Sequence, residues 1–455
     1  MKELPASIVE FNKRKKATKI TTLTQAKSAE LHRFFSGSFI IDHITGGGYA
    51  YRRIMLLYGS RSSGKNASLN QMIAYNQRLC RHCHGILPEF FEATVKDRWT
   101  QILISILQVN PCKCKESEGK IILVLDYERS FAIENPINII IRKILDKKTE
   151  QPITEEVYDD SLSIVDSLRE AHKAKTLTDD QKLIFKNANE VVKNAIVETN
   201  TIVKMNTADY LTACGILTNN LLIADPEDTE EGIDMVKEMI KERAVDAIIW
   251  DSLQAAIPRY VKDRDSSGDA TMGVEAKQNG LLMRHICSSF AAKDLTDPAE
   301  AFKPAFFITS QVRSTLGGFH SGPATFSGGN AINHHISLAL EIKRENFIKK
   351  DGTVAKFDDD YYGQKVRLRA EKNKLSSPGD MYEYDFYFRK DSVAPIGIDY
   401  IGEIVHLGVR AGLIERAGPY YQVKGQSFQG IAKLNEFFRE NIDFVGQLYQ
   451  DLKNV

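Results

Sequence analysis

The residues able to do chemistry begin with the run Gly59-Ser60-Arg61-Ser62-Ser63-Gly64-Lys65-Asn66-Ala67. Two glycines separated by four residues, with a lysine directly after, let the backbone curl until several N–H groups point at one anion. A helix starting there adds its partial positive charge, and Lys65 reaches the β- and γ-phosphates. The position after the lysine usually carries Ser or Thr, whose hydroxyl holds Mg²⁺. Here it is Asn66, whose amide oxygen is also a hard ligand. The run predicts nucleotide binding and an altered metal contact.

Three more polar groups follow apolar runs. Lys120–Leu125 ends in Asp126-Tyr127-Glu128, and Glu128 is placed to orient and deprotonate the water that attacks a γ-phosphate. Ala247-Ile248-Ile249-Trp250 ends in Asp251, a carboxylate suited to a magnesium-bound water. Ala305–Ser310 ends in Gln311. In an open parallel sheet such strand ends share one edge, so Lys65, Glu128, Asp251 and Gln311 are expected to meet on one ligand. A separate set, Cys80 and Cys83 with Cys112 and Cys114, forms two close pairs about thirty residues apart, a pattern that suits tetrahedral zinc. His82 or His84 is an alternative to one thiolate, and free or redox-active thiols are the other reading of the cysteines. Four protein ligands leave no open position, so the expected role is to pin an inserted loop.

The elements needed to hold these groups are legible as periodicity. Ile54–Tyr58 reads as a buried strand, and Leu69, Met72, Ile73 and Leu79 recur at helical spacing after the loop. Further strands are expected at Leu221–Ile223, Ala247–Trp250 and Ala305–Gln311, with helices near Thr229–Arg243 and Val274–Phe290. Ser337–Lys343 and Lys365–Glu371 alternate as strands around a Lys350-Asp351-Gly352 turn. Residues 131–205 turn polar, with Ile184, Ala188, Val191, Val192 and Ala195 on one helical face and Leu162, Val165 and Leu168 on another, which predicts a helical insertion. After Gln311 a glycine-rich stretch carries Arg313, Phe319, His320 and Phe326, cationic and aromatic groups suited to nucleic acid. Lys372 and Lys374, two apart on an extended segment, point the same way.

Composition sets limits. The chain has 60 basic and 60 acidic residues, so any nucleic-acid contact must come from local patches. It contains no run of eighteen apolar residues and begins with polar sequence, so neither a membrane span nor a signal peptide is expected. Six unevenly clustered cysteines point to a reducing compartment and metal ligation. The basic cluster Lys13-Arg14-Lys15-Lys16 lies in a polar N-terminal stretch that reads as a solvated helix, a subunit-packing arm or a weak DNA contact.

The order of these motifs resembles the RecA family of recombinases, from roughly Ser36 to Asn441. SGSFIIDHITGGG is similar to that family's segment before the phosphate loop, and SGGNAINHH to the end of its second DNA-binding loop. EKNKLSSP and IGEIVHLGVRAGLIERAGPYYQVKGQ are similar to its KNK segment and to the start of its C-terminal domain. The insertions and divergence point to a phage-encoded relative. The resemblance implies a mostly parallel α/β ATPase core at 37–400, preceded by an oligomerisation arm at 1–36 and followed by a small C-terminal domain at 401–455. The core is interrupted by a zinc-knuckle-like insertion at 80–118 and the helical one at 131–205. It implies ATP and Mg²⁺ on Gly59 to Ala67 with Asp251, Glu128 as base, and Gln311 as γ-phosphate sensor. Lys372 and Lys374 would act on the neighbouring subunit's ATP. DNA contacts fall in loops at about 260–269 and 312–327, involving Arg313, Phe319, His320, Gly328, Gly329 and Asn330. The family's adenine-stacking tyrosines find no counterpart where Ala132 and Ile401 stand. The implied function is ATP-dependent strand exchange by a helical filament on single-stranded DNA, with homologous duplex as second partner, in a bacterial or phage-infected cytoplasm. The alternatives are a ring-forming DNA motor and a filament protein whose ATPase is blunted by Asn66.

Overall fold

In a computed structural model the chain is described except for residues 1–5, 15–20, 22–25, 27–30, 130–136, 150–160, 162, 166, 170–171, 174, 206, 263–273, 293–295, 314–324, 327–329, 357–358, 378–379, 390–391, 393 and 455. Its centre is a ten-stranded sheet. We label nine of the strands β1 (Ile54–Gly59), β2 (Ile122–Asp126), β3 (Leu221–Ala224), β4 (Ala247–Asp251), β5 (Ala305–Arg313), β6 (Leu338–Ile348), β7 (Gly363–Asn373), β8 (Met381–Tyr387) and β9 (Gly397–Ile398). Their spatial order is β9-β8-β7-β6-β1-β5-β4-β2-β3, and Thr325–Phe326 adds a short strand antiparallel to β5. From β6 through to β3 all neighbours are parallel, while β6 to β9 pair antiparallel.

Alternation along each central strand sorts side chains into two layers. Met55, Leu57, Ile122, Val124, Ala247, Ile249 and Phe307 enter one core cluster. Ile54, Leu56, Tyr58, Leu123, Leu125, Ile248, Trp250, Phe306 and Ile308 enter the other. Helix α1 (Lys65–Asn76) contributes Leu69, Met72 and Ile73 to the first layer. Helices α2 (Thr229–Glu242) and α3 (Val274–Ser289) close the second through Val236, Ile240, Leu282, Met283 and Ile286. Helix α1 ends at Asn76, and Leu79, expected to continue its apolar stripe, instead bridges to Ile86.

The segment before β1 is tied to the C-terminal part of the chain. Ser38 caps the helix Phe39–Thr45, its hydroxyl accepting from the Ile41 N–H at 3.1 Å. That hydroxyl also donates to Glu403, on helix α4 (Tyr400–Arg410), whose other carboxyl oxygen accepts the Phe39 N–H at 2.8 Å. Glu403 is 1% exposed, and burial pushes its carboxyl up to about 8 against the opposing effect of these hydrogen bonds. Beyond α4 the chain forms a three-stranded antiparallel sheet (415–429) and the helices Ile431–Glu440 and Ile442–Lys453.

The insertion at 131–205 is only partly helical. Ile137–Asp146 and Ala195–Met205 pair as an antiparallel ribbon, and the helix Asp179–Asn194 lies between them. The expected apolar positions Val165, Leu168, Ala188 and Val192 do meet in a small separate core with Leu177 and Phe185. Ala195, assigned by periodicity to the helix face, instead begins the returning strand. The β-branched runs Ile139-Ile140-Ile141 and Thr201-Ile202-Val203 are the strand signal that the polar surroundings masked.

Candidate active site

Register sets the site. Gly59 pairs with Gln311, and Asp126 pairs with Asp251, so β1, β4 and β2 end at one edge of the sheet, past which β5 continues to Arg313. The loop between β1 and α1 turns at Gly64, whose φ of 106° lies in the left-handed region that a side chain would strain. A cleft of about 430 Å³ opens above these ends, lined by Arg61, Ser62, Ser63, Gly64, Lys65, Asn66 and Ala67 together with Glu128, Asp251 and Gln311. All the nucleotide-site residues expected from sequence therefore meet, with Ser60 contributing its carbonyl.

Lys65 Nζ donates to the carbonyls of Gly59 at 3.1 Å and Ser60 at 2.9 Å. Burial lowers its pKa, while Glu128 and Asp251 pull the other way. Asp251, 3% exposed, accepts from the Thr309 hydroxyl at 2.7 Å and from the Asn66 amide at 3.2 Å. Burial raises its pKa, and the neighbouring carboxylates Glu128 and Asp126 add to the rise. Glu128 and Asp251 face Lys65 across the cleft, with Asp126 buried behind Asp251. The donors offered by Asp251 and Asn66, a carboxylate and an amide that can turn its oxygen inward, fit the all-oxygen preference of Mg²⁺. Gln311 Nε2 donates to Glu128 Oε1 at 3.3 Å, joining the sensor and base candidates directly.

Sequence reasoning missed four groups here. Thr309 holds Asp251 and also accepts the Ser252 N–H at 2.7 Å, which fixes Ser252 at a φ of 67°. Gln254 donates to the Ser310 hydroxyl at 2.8 Å and the Gln311 carbonyl at 3.1 Å, tying the chain after Asp251 to the end of β5. Tyr210 and Phe386 add aromatic surface to the cleft. Of the positions searched for a base-stacking tyrosine, Ile401 is fully buried in α4 and Ala132 lies outside the described residues. Tyr210 sits on the first helix after the insertion (Thr207–Ala213), so removing residues 131–205 from the reading would have brought it next to Glu128.

Lys372 and Lys374 do not line this cleft. Both donate to carbonyls at the end of the helix Asn330–His335, Lys372 to Asn333 and Lys374 to His334 at 3.4 Å. Asn373 between them is buried and grips the turn that follows, donating to the Ile44 carbonyl at 2.8 Å and accepting the Leu375 N–H at 3.0 Å. Of the DNA-contact candidates, Arg313 ends β5 and Asn330 opens its helix. Phe319, His320, Gly328 and Gly329 lie outside the described residues, as does 263–269 of the first expected loop.

The cysteines also converge. The sulfurs of Cys80, Cys83, Cys112 and Cys114 lie within 4.8 Å of one another, Cys80 to Cys114 at 3.9 Å and Cys83 to Cys112 at 3.4 Å. A tetrahedron of thiolates at the usual Zn–S length of about 2.3 Å has edges of about 3.8 Å, so the four sulfurs fit zinc. Neither histidine joins them. His84 stacks on Phe302 with ring centroids 5.1 Å apart, and His82 faces Glu118 at 3.8 Å.

Comparison with known proteins agrees with this arrangement. Residues 182–392 match the model of the RecA N-terminal domain. The chain is 31% identical over 244 residues to Protein RecA 1 of Myxococcus xanthus, covering 53% of this chain and 65% of that one. It is 28% identical over 246 residues to Protein RecA of Acidothermus cellulolyticus, covering 54% and 65%. It is also 30% identical over 240 residues to Protein RecA of Nostoc punctiforme, covering 52% and 60%. The chain thus spans somewhat under two thirds of the length of these relatives. The matched domain takes in Tyr210, Asp251, Thr309, Gln311, Lys372 and Lys374, and the sheet brings Lys65 and Glu128 to the same edge. The sequence matches over about half of the chain and the mostly parallel core agree in their likeness to the RecA family.

Proposed function

We propose that this protein is an ATP-dependent recombinase that assembles as a helical filament on single-stranded DNA and exchanges it with a homologous duplex. The observation that carries the reading is the Gln311–Glu128 hydrogen bond. Gln311 lies on the strand that leads directly to the expected DNA-binding segment, and Glu128 is the candidate base for attack on the γ-phosphate. A bound γ-phosphate competes with Glu128 for the Gln311 amide, so nucleotide state is transmitted to the start of that segment. Lys65 contacts the triphosphate from its own subunit, and Lys372 and Lys374 reach the ATP of the next one, where their charge is most useful in the transition state. Arg313 and the glycine-rich segment contact DNA mainly through its backbone, while base pairing reads sequence.

Mg²⁺ would be held by Asp251 and Asn66 and would neutralise phosphate charge. Asn66 stands where a hydroxyl residue is usual and donates its amide to Asp251 at 3.2 Å, which favours slow hydrolysis as a second reading. The four cysteines are assigned a structural zinc. The division into an N-terminal arm, the 37–400 core and a C-terminal domain belongs to the same proposal. The test is ATP turnover with and without single-stranded DNA, alongside electron microscopy with a slowly hydrolysed ATP analogue. Filaments that depend on ATP and DNA-stimulated turnover are expected. Filaments without turnover support the second reading, and closed rings or no assembly overturn the proposal.

A further inference from the structure

The chain between the two cysteine pairs makes an unusual set of long-range contacts. At its root, Arg78 just beyond α1 is 4% exposed and donates from Nε to both oxygens of Asp97, at 2.9 and 3.1 Å. The same guanidinium donates to the Gly215 carbonyl at 2.8 Å and lies 4.8 Å from the centre of the Trp99 ring. The middle of the loop is thereby held to the base of the phosphate-loop helix. The wide helical turn that follows, Ile102–Ile106, buries Ile102, Leu103 and Ile106 in the core cluster that also contains Val445 and Leu448 of the helix Ile442–Lys453.

That contact is close. A methyl group at Gly446 would lie 2.0 Å from the Ser105 carbonyl oxygen, so the last helix rests its backbone on the turn. Gln450 Nε2 donates to the Ile106 carbonyl at 2.9 Å, and Arg98 donates to the carbonyl of Ile396, just before β9. Residues 97–106 therefore form a strut from the phosphate-loop helix to the C-terminal helix. Its two ends are joined outside any regular strand, by the isolated bridges Leu79 to Ile86, Cys80 to Gly119 and Ile86 to Pro111 and by backbone hydrogen bonds from Arg81 to Glu118 at 2.9 Å and from Cys112 to Ile86 at 2.7 Å. The four sulfurs meet where the two ends of the loop come together.

We infer that zinc on Cys80, Cys83, Cys112 and Cys114 is the clasp that closes this loop, holds the strut in place and so fixes the C-terminal helix against the nucleotide-binding core. The inference rests on the zinc assignment made above. Because ligand binding and loop closure are coupled, metal removal withdraws folding free energy from the loop first and from what leans on it next.

The test uses the full chain. Zinc content is measured first, and one zinc per chain is expected; a metal-free, folded protein sinks the zinc assignment itself. Hydrogen exchange is then compared before and after zinc removal with 1,10-phenanthroline. Amides in 98–107 and 442–453 are expected to exchange about tenfold faster or more, while those of β5 stay protected. Equal protection with and without zinc overturns the clasp and leaves the metal site standing. Gly446→Val keeps all four ligands, so it is expected to expose 442–453 at unchanged zinc content; undiminished protection there overturns the docking.

Discussion

Thr309→Val isolates one side chain at the hinge of the site. The swap keeps the shape and removes two buried hydrogen bonds, the one given to Asp251 and the one accepted from the Ser252 N–H, each at 2.7 Å. Thr309, Asp251 and Ser252 are 2%, 3% and 4% exposed, so water cannot replace the lost partner without opening the site. A hydrogen bond to a charged group contributes about 1.5–3 kcal/mol, and an orphaned buried N–H costs about 1–3 kcal/mol. The two share one atom and are not additive, so we expect a loss of about 2–4 kcal/mol in stability. The loss should depend on pH. Burial already lifts the Asp251 carboxyl above its ordinary 3.8, and the Thr309 hydrogen bond opposes that rise. Removing it lifts the native-state value further, and an acid whose native pKa is raised destabilises the fold increasingly as pH rises through that value. The deficit is therefore larger at pH 8 than near the ordinary aspartate range. Urea unfolding read by tryptophan fluorescence suits the question, because Trp250 adjoins Asp251 and is one of two tryptophans in the chain. Nucleotide titration should show weakened binding with Mg²⁺ and little change in its absence. A variant within about 0.5 kcal/mol of the parent at both pH values, with unchanged Mg²⁺-dependent affinity, would refute the reasoning.

That hydroxyl was invisible in the sequence for a physical reason. Lys65, Glu128, Asp251 and Gln311 each follow an apolar run, so strand-end logic alone brings them to one edge. Thr309 lies inside such a run, where a threonine reads as a β-branched strand former. Only the register, which carries Asp251 past the end of the β4–β5 pairing, turns its hydroxyl into a carboxylate support. Tyr210 was hidden differently. The insertion separates it from Glu128 along the chain, although both line the same cleft. The parallel core was legible because its strands are buried on both faces and read as unbroken apolar runs. The ribbon of the insertion was not, because its strands lie beside polar helical sequence and, among the described residues, pair only with each other. Cysteine spacing predicted that the four sulfurs converge but gave no hint that the loop between the pairs carries the last helix, a contact between residues more than three hundred positions apart.

Three further outcomes follow from the same geometry. Lys372→Ala should leave ATP affinity within about twofold and abolish DNA-stimulated hydrolysis, since the lysine lies outside its own cleft; unchanged turnover in a steady-state ATPase assay contradicts action on the neighbouring subunit. Tyr210→Leu should weaken ATP binding by about two- to tenfold, the range of one aromatic stacking contact, and leave inorganic triphosphate binding unaltered in the same titration. Glu403→Gln tests the carboxyl that joins α4 to the segment before β1. Its native pKa of about 8 against an ordinary 4.5 means that the unfolded chain loses its proton first, so the native state loses stability steadily from pH 4.5 to 8. A glutamine keeps a carbonyl for the Phe39 N–H and cannot ionise, so the pH dependence of stability should flatten across that window, with the variant gaining on the parent toward pH 8. Urea midpoints measured at pH 5, 6.5 and 8 decide it. If parent and variant run parallel over the three, the buried carboxyl is already ionised in the native protein, and its hydrogen bonds from Ser38 and Phe39 outweigh its burial.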